Sequence, residues 1–253
     1  MLIKENKEVA KNIFRLVLKG KSATQKIEPG QFLYLKITDL LDPLLRRPIS
    51  ISDVLPEEEL IVLYYRVQGN GTKKLAMKRT GEYLNVVGPL GNGYPYQNIN
   101  KKSILLIGGG IGIPPLYYLA KKLKELNILF STYLGFNNRE EFFLIKEFRE
   151  LAELKIATID GSFGAKGFVT DILPDDKDGI FYACGPTPML KELQNKYSTT
   201  DYLGYISLEE RMGCGIGACY ACTVPLVEDI SGKKYAKVCS DGPVFSLREV
   251  ILK

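Results

Sequence analysis

Ser103-Ile104-Leu105-Leu106-Ile107-Gly108-Gly109-Gly110-Ile111-Gly112-Ile113-Pro114-Pro115 separates two kinds of sequence in this chain. Ile104 to Ile107 form a continuous apolar run, as a parallel strand covered on both faces requires. Glycines follow, and then a helical pattern over Leu116 to Leu126, apolar at 116, 119, 123 and 126. The same strand-then-helix unit recurs C-terminally: Ser131 to Gly135 then Glu141 to Leu151, Lys155 to Ile159 then Val169 to Leu173, and Ile180 to Cys184 then Pro188 to Tyr197. Tyr202 to Ser207 closes the series. The alternation predicts a doubly wound parallel sheet over residues 99–208, the α/β part of the chain.

N-terminal to that stretch, residues 1–98 predict an all-β unit. Strand-like runs at Ile13 to Leu18, Gln31 to Ile37, Ile49 to Ser52, Leu60 to Val67 and Tyr83 to Val87 are separated by Gly and Pro clusters. Such spacing suits a closed antiparallel barrel or a sandwich. One short helix is expected from Lys73 to Met77. Residues 209–253 form a third region, rich in glycine and cysteine and then hairpin-like.

The 253 residues suffice for two domains and an appendage. The net charge of +5 is spread over scattered lysine pairs such as Lys73-Lys74 and Lys121-Lys122, which reads as a solvated surface and not as a nucleic-acid face. The start, Met1-Leu2-Ile3-Lys4-Glu5-Asn6, lacks the apolar stretch of a signal peptide, and no window approaches a membrane span. A cytoplasmic protein with reduced cysteines is expected. Histidine is absent, which removes imidazole catalysis, Ser-His-Asp triads, His-ligated zinc and Rieske clusters.

Four of the five cysteines lie within residues 214–239. Cys214, Cys219 and Cys222 follow a C-x4-C-x2-C pattern, and Cys239 comes later, the plant-type [2Fe–2S] order. Three thiolates must converge from one tight loop, and Gly213, Gly215 and Gly217 are expected to let it curl at positive φ with N–H groups aimed at sulfur. Structural zinc is the alternative, although zinc ribbons pair two C-x2-C knuckles and one is missing here. The fifth cysteine, Cys184, ends a predicted strand before Gly185 and Pro186. It is either a ligand-side residue or a small buried hydrophobe.

Two further motifs can meet phosphates. In Gly110-Ile111-Gly112-Ile113-Pro114, backbone N–H groups can approach a pyrophosphate at a helix start. The run fails the full G-x-G-x-x-G spacing, and no acidic residue ends the second strand at Gly135-Phe136-Asn137-Asn138-Arg139, so a tight packing turn stays open. Arg46-Arg47-Pro48-Ile49-Ser50 offers an arginine fork for a diphosphate and a hydroxyl for a flavin ring, and Gly69-Asn70-Gly71-Thr72 a second anion cradle.

The order of these motifs resembles the ferredoxin reductase superfamily over essentially the whole chain, and most of all the electron-transfer subunits of class 1B dihydroorotate dehydrogenases. The stretch Glu209-Glu210-Arg211-Met212-Gly213-Cys214, continuing to Cys222, carries most of the likeness, backed by Val238 to Phe245. The resemblance implies a flavin barrel over 1–98, a nucleotide domain over 99–208 and a cluster region over 209–253. It implies FAD contacts at Arg47, Pro48, Ile49, Ser50, Tyr64, Tyr65, Arg66, Gly71 and Thr72. It places NAD(H) near Gly110, Ile111, Gly112, Ile113, Pro114, Cys184, Gly185 and Pro186, and the cluster on Cys214, Cys219, Cys222 and Cys239. The expected partner is an FMN-containing catalytic subunit in a heterotetramer serving pyrimidine biosynthesis. Alternatives are the flavin and iron–sulfur subunit of an NADH-dependent ferredoxin:NADP oxidoreductase or sulfide dehydrogenase, and a zinc-binding structural or redox-sensing module.

Overall fold

The computed structural model describes residues 1–97, 99, 103–175, 178–227, 232 and 234–252. Residues 98 and 100–102, at the first expected boundary, lie outside these, as does residue 253 at the chain's end. The N-terminal strands are β1 (Leu2–Ala10), β2 (Ile13–Lys19), β3 (Phe32–Lys36), β4 (Arg47–Leu55), β5 (Leu60–Arg66) and β6 (Asn85–Leu90). They pair antiparallel in the order β1-β2-β5-β4-β3-β6. The two ends of that sheet meet. Ile3 donates its N–H to the Glu82 carbonyl at 2.8 Å, and Gly81 and Leu84 donate to the Ile3 and Met1 carbonyls, both at 2.9 Å. The unit is therefore a closed barrel, its first and last strands joined, apart from a local gap between β4 and β5. Alternate residues point inward: Leu16 and Leu18, Leu33 and Leu35, and Ile61, Leu63 and Tyr65. Helix α1 (Asn70–Ala76) follows β5, starting earlier than the sequence predicts, with Gly71 and Thr72 in its first turn.

The second unit contains β7 (Ile104–Gly109), α2 (Pro114–Glu125), β8 (Ser131–Phe136), α3 (Ile145–Leu151), β9 (Glu153–Thr158), β10 (Ala165–Lys166), β11 (Ile180–Cys184), α4 (Thr187–Tyr197) and β12 (Leu203–Ser207). All six residues of β7 are buried, because helices and loops cover both faces of the sheet. Helix α2 ends where Asn127 enters the left-handed region at φ 56 and donates to Lys124 O. Two expected helices are shorter. Arg139–Glu141 forms a separate 3₁₀ turn and Leu144 is left-handed, so α3 begins only at Ile145. Val169–Ile172 is a 3₁₀ turn.

The third region adds the hairpin strands β13 (Thr223–Pro225) and β14 (Tyr235–Lys237), and then β15 (Val244–Ser246). β15 pairs antiparallel with β12 at the edge of the parallel sheet, giving the order β10-β9-β8-β7-β11-β12-β15. Cys222, Val238 and Cys239 share one core with Phe32 and Tyr34 of the barrel and with Phe181 and Ile206 of the parallel sheet. The cysteine-bearing segment is thus built into both units.

Candidate functional site

The barrel opens a fork between β4 and β5. Pairing of these strands stops at Ile51 with Leu63, and Arg47 to Ser50 pair with β3 instead, while β5 stays on β2 up to Arg66. The backbone of Tyr64, Tyr65 and Arg66 therefore has no β4 partner, and a cavity of ≈ 590 Å³ lies against Arg47, Pro48 and Ser50. The side chains divide by strand alternation. Ile49 packs on the barrel core, as does Tyr65, whose hydroxyl donates to Asn6 Oδ1 at 2.8 Å. Tyr64 faces the second unit and packs on Phe143. Thr72 Oγ1 accepts from the N–H groups of Gln68 and Gly69, so it shapes the turn before α1. Gly71 lies so close to the Arg47 guanidinium that a Cβ there would stand 2.5 Å from Nε. Arg66 pairs through Nη2 with Glu141 at 3.1 Å, and its buried Nε–H lacks a partner among the described residues. A shaped cleft whose lining includes the Arg46 and Arg47 guanidinium groups fits a dinucleotide diphosphate such as that of FAD, while Arg66 lines the neighbouring cavity.

A second cavity, of ≈ 730 Å³, runs across the carboxyl ends of the parallel strands. Gly110, Ile111 and Gly112 line it, together with Cys184, Gly185 and Pro186. Ile113 and Pro114 do not line it, being buried at the start of α2. Gly112 lies against the Cys184-Gly185 peptide, where a Cβ would stand 2.5 Å from Gly185 N, so the β7 and β11 turns interlock. The packing-turn and nucleotide-cradle readings of this loop are therefore compatible. Cys184 answers its own alternatives in the same way: it is buried, yet it lines the cavity. Burial, reinforced by Glu209, raises its pKa and keeps the thiol protonated near neutrality. Glu209 borders both cavities. Its surface opens into them, while the surrounding protein desolvates the carboxyl and raises its pKa.

The four remaining cysteines fall into two pairs. Cys214 Sγ accepts from Ile216 N at 3.5 Å, Ala218 N at 3.2 Å and Cys219 N at 3.4 Å. Cys222 Sγ accepts from Cys239 N at 3.4 Å, and Cys239 Sγ from Gly217 N at 3.1 Å. As free thiols they differ. The N–H of Ile216, with those of Cys219 and Ala218, lowers Cys214 to about 6, and burial raises Cys239 to about 11. Two thiol pairs ringed by N–H donors match a two-iron cluster, in which each iron takes two thiolates and donors stabilise anionic sulfur. Gly215 and Gly217 take the expected positive φ, 76 and 82, but Gly213 does not. Gly213 is small for another reason: a Cβ would stand 3.0 Å from Cys219 Sγ.

Several contributors carry no local sequence signal. Tyr34, 1% exposed, donates its hydroxyl to Met212 O at 2.8 Å and Gly213 O at 3.1 Å, and its ring lies under Gly215. Met212 and Pro243 line the first cavity, two residues before Cys214 and four after Cys239. The cysteine loop and the flavin-sized cleft thus share a wall.

Comparison with known proteins agrees with this geometry. Residues 209–251 match the family described as the iron-sulfur cluster binding domain of dihydroorotate dehydrogenase B. The chain is 48% identical over 256 aligned positions to the electron transfer subunit of dihydroorotate dehydrogenase B (NAD(+)) of Bacillus cereus, covering 100% of this chain and 98% of that one. The Bacillus anthracis protein of the same name aligns with the same identity and coverage. Among solved structures, the NADH-dependent reduced ferredoxin-NADP oxidoreductase superposes with a TM-score of 0.87 at 33% identity, covering 99% of this chain and 89% of that one. Phthalate dioxygenase reductase, at 17% identity, TM-score 0.65 and coverage of 94% and 76%, shares the fold. With a full-length relative at nearly half identity and the cluster-domain match placed on its own cysteine loop, this chain belongs to the family of dihydroorotate dehydrogenase B electron transfer subunits.

Proposed function

We propose that the chain takes reducing equivalents from NADH and delivers them to an FMN-containing catalytic subunit that interconverts dihydroorotate and orotate. One observation carries the reading: the nucleotide-sized and flavin-sized cavities meet at Glu209, and the second of them is walled by residues flanking Cys214 and Cys239. FAD, when bound, supplies hydride acceptance, and a [2Fe–2S] cluster supplies one-electron transfer. The chain's own part is positional. Arg47, Pro48 and Ser50 and the open backbone edge of Tyr64 to Arg66 would hold FAD. The Gly110 to Gly112 turn, interlocked with Cys184-Gly185, would hold the dinucleotide across the sheet. Cys214, Cys219, Cys222 and Cys239 would hold the cluster. No side chain need move a proton to the nicotinamide, and the chain has no histidine to do so.

The partner reading has support at the surface. In the loop before Arg46, Leu41 is 83% exposed, and Leu40 and Leu44 are also exposed. The loop is nevertheless held in place, because the Asp42 carboxylate accepts from Asn70 Nδ2 at 2.8 Å and pairs with Lys74. Beside the cysteines, Ile216 is 64% and Tyr220 66% exposed. Fixed, exposed apolar groups near an electron outlet suit a stable protein interface. We infer a heterotetramer with that catalytic subunit, acting in pyrimidine biosynthesis. A reducing cytoplasm suits five free cysteines. No helix among the described residues is long and apolar enough to cross a membrane.

Co-expression with the catalytic subunit tests the proposal. NADH-driven orotate reduction is expected only when both chains are present, while this chain alone, carrying flavin and cluster, reduces ferricyanide with NADH. Capture of a larger multi-cluster flavoprotein in place of an FMN barrel would select the ferredoxin-NADP oxidoreductase reading, which the 33% identical structure makes the nearest alternative.

A further inference from the structure

We propose that Asn137, oriented by Glu141, makes this subunit select NADH over NADPH by offering a hydrogen-bond acceptor to the 2′-hydroxyl of the adenosine ribose. The proposal rests on the reading of the second cavity as the nucleotide site. In dinucleotide sheets, an acidic residue at the end of the second strand commonly grips that hydroxyl. The corresponding position here, directly after β8, is Asn137, and it lines the cavity. The missing carboxylate comes from four residues further on. The 3₁₀ turn Arg139–Glu141 folds back, capped by Asn138 Oδ1 accepting from Glu140 N at 3.0 Å. It is braced by Arg139 N donating to Ser162 Oγ at 2.9 Å and by Lys11 pairing with Glu140 at 2.7 Å. Glu141 is thereby held behind Asn137, nearly enclosed.

Both carboxylate oxygens of Glu141 accept from Asn137 Nδ2, at 3.0 and 3.1 Å. A carboxylate cannot donate, so the network assigns the amide nitrogen to the Glu141 side. The remaining amide atom, Oδ1, has no protein donor among the described residues, and Asn137 is exposed in the cavity. An amide oxygen fixed in this way accepts from a hydroxyl. It offers nothing to a 2′-phosphate, which has only acceptor oxygens and negative charge at neutral pH.

The surroundings reinforce the choice. Arg66 is the one cation lining the cavity among the described residues, and Glu141 already pairs with it. Asp171, Glu192 and Glu209 line the same cavity, whereas Arg139, two residues after Asn137, is not among its lining residues and lies over the Phe163 ring, so the extra charge of NADPH meets mainly carboxylates. The position along the cavity is also right for the ribose. On one side of Asn137 lies the Gly110 to Gly112 turn. On the other are Ile159 and Phe168, apolar, 46% and 61% exposed, and suited to an adenine ring.

The test uses the full chain carrying FAD and cluster, with ferricyanide as acceptor and NADH and NADPH compared as donors. Asn137→Ala should raise the KM for NADH by roughly 2- to 13-fold, the worth of one hydrogen bond, with kcat within about twofold. NADPH, which does not make the bond, should keep its KM, so the NADH preference falls by the same factor. Glu141→Gln should lower the preference in the same direction, because a glutamine amide can present either end to Asn137. If that variant does not fold, Asn137→Ala decides alone, since it trims an exposed side chain and leaves the turn intact. An unchanged NADH-to-NADPH ratio in Asn137→Ala, or equal losses with both coenzymes, overturns the assignment while leaving the nucleotide site standing. A wild-type chain that oxidises neither coenzyme removes the nucleotide reading and this proposal with it.

Discussion

Tyr34→Phe isolates the bond between the barrel and the cysteine loop. The ring is buried and its hydroxyl donates to two carbonyls, Met212 O at 2.8 Å and Gly213 O at 3.1 Å, just before Cys214. Phenylalanine keeps the ring on which Gly215 packs and removes only the donor. A net hydrogen bond is worth about 1 kcal/mol, and leaving its acceptors unpaired in a buried place brings the cost to roughly 1–2 kcal/mol. If cluster loss passes through opening of this loop, that cost raises the open population by roughly 5- to 30-fold. For a chain of this size it lowers the melting temperature by about 2–8 °C if the loop unfolds with the rest. The assay is the rate at which an iron chelator bleaches the cluster absorbance, with iron and acid-labile sulfide counted at the start. A chelation rate within about twofold of wild type, together with an unchanged melting temperature, would refute the reasoning, because a donor shared by two buried carbonyls would then count for nothing.

Cys219→Ser should leave the purified chain with little iron or acid-labile sulfide and with most of its flavin, since Cys219 itself does not line the flavin-sized cavity although its loop shares a wall with it; equal loss of flavin would contradict the division. Gly112→Ala forces a methyl into the Cys184-Gly185 peptide, where backbone and not a flexible tip must give way. Overpacking of about 1–3 kcal/mol is expected, seen as a lower urea midpoint and a raised KM for NADH. Alkali should also weaken the fold. Desolvation raises the hydroxyls of Tyr64 and Tyr117 to about 12 from an ordinary 10.0, and raises Tyr65, Tyr118 and Tyr182 as well. The unfolded chain releases these protons first, so their contribution is complete below pH 10 and is lost as pH climbs from 10 towards 12, which urea midpoints measured at about pH 9 and about pH 11 will show.

What was legible in the sequence follows from how local each signal is. β7 announces itself because both of its faces are covered and every position must be apolar. β1 does not: of its nine residues only Ile3 is fully buried, so LIKENKEVA reads as polar chain, and it is the barrel's closure that makes it a strand. The cysteine loop was readable because three of its four cysteines fall within nine consecutive residues. The Tyr34 hydroxyl, 178 positions from its acceptor, leaves no trace in a strand where any aromatic would fit the pattern. The carboxyl end of β8 shows the opposite failing. A search for an acid at the strand end finds Asn137 and stops, because spacing alone cannot show that a 3₁₀ turn brings Glu141 back to it.

The attachments of the cysteine segment bear on how electrons must leave. Asn92 of the barrel donates through Nδ2 to Ser240 O at 3.1 Å and Asp241 O at 2.9 Å, and through its backbone N to Gly242 O at 2.6 Å. Leu208 N donates to Pro243 O at 2.9 Å as β15 joins the parallel sheet. With Tyr34 holding the other end, the four cysteines cannot swing between donor and acceptor as a tethered domain could. A fixed outlet has to be approached, so the partner must come to it. The four cysteines have two sides suited to that: Cys222 and Cys239 are buried in the core shared with both units, whereas Cys219 is exposed between Ile216 and Tyr220. Docking on the exposed side shortens the path to a second redox centre without any movement inside this chain. The chain accordingly spends its contacts on rigidity and leaves the matching of surfaces to the interface.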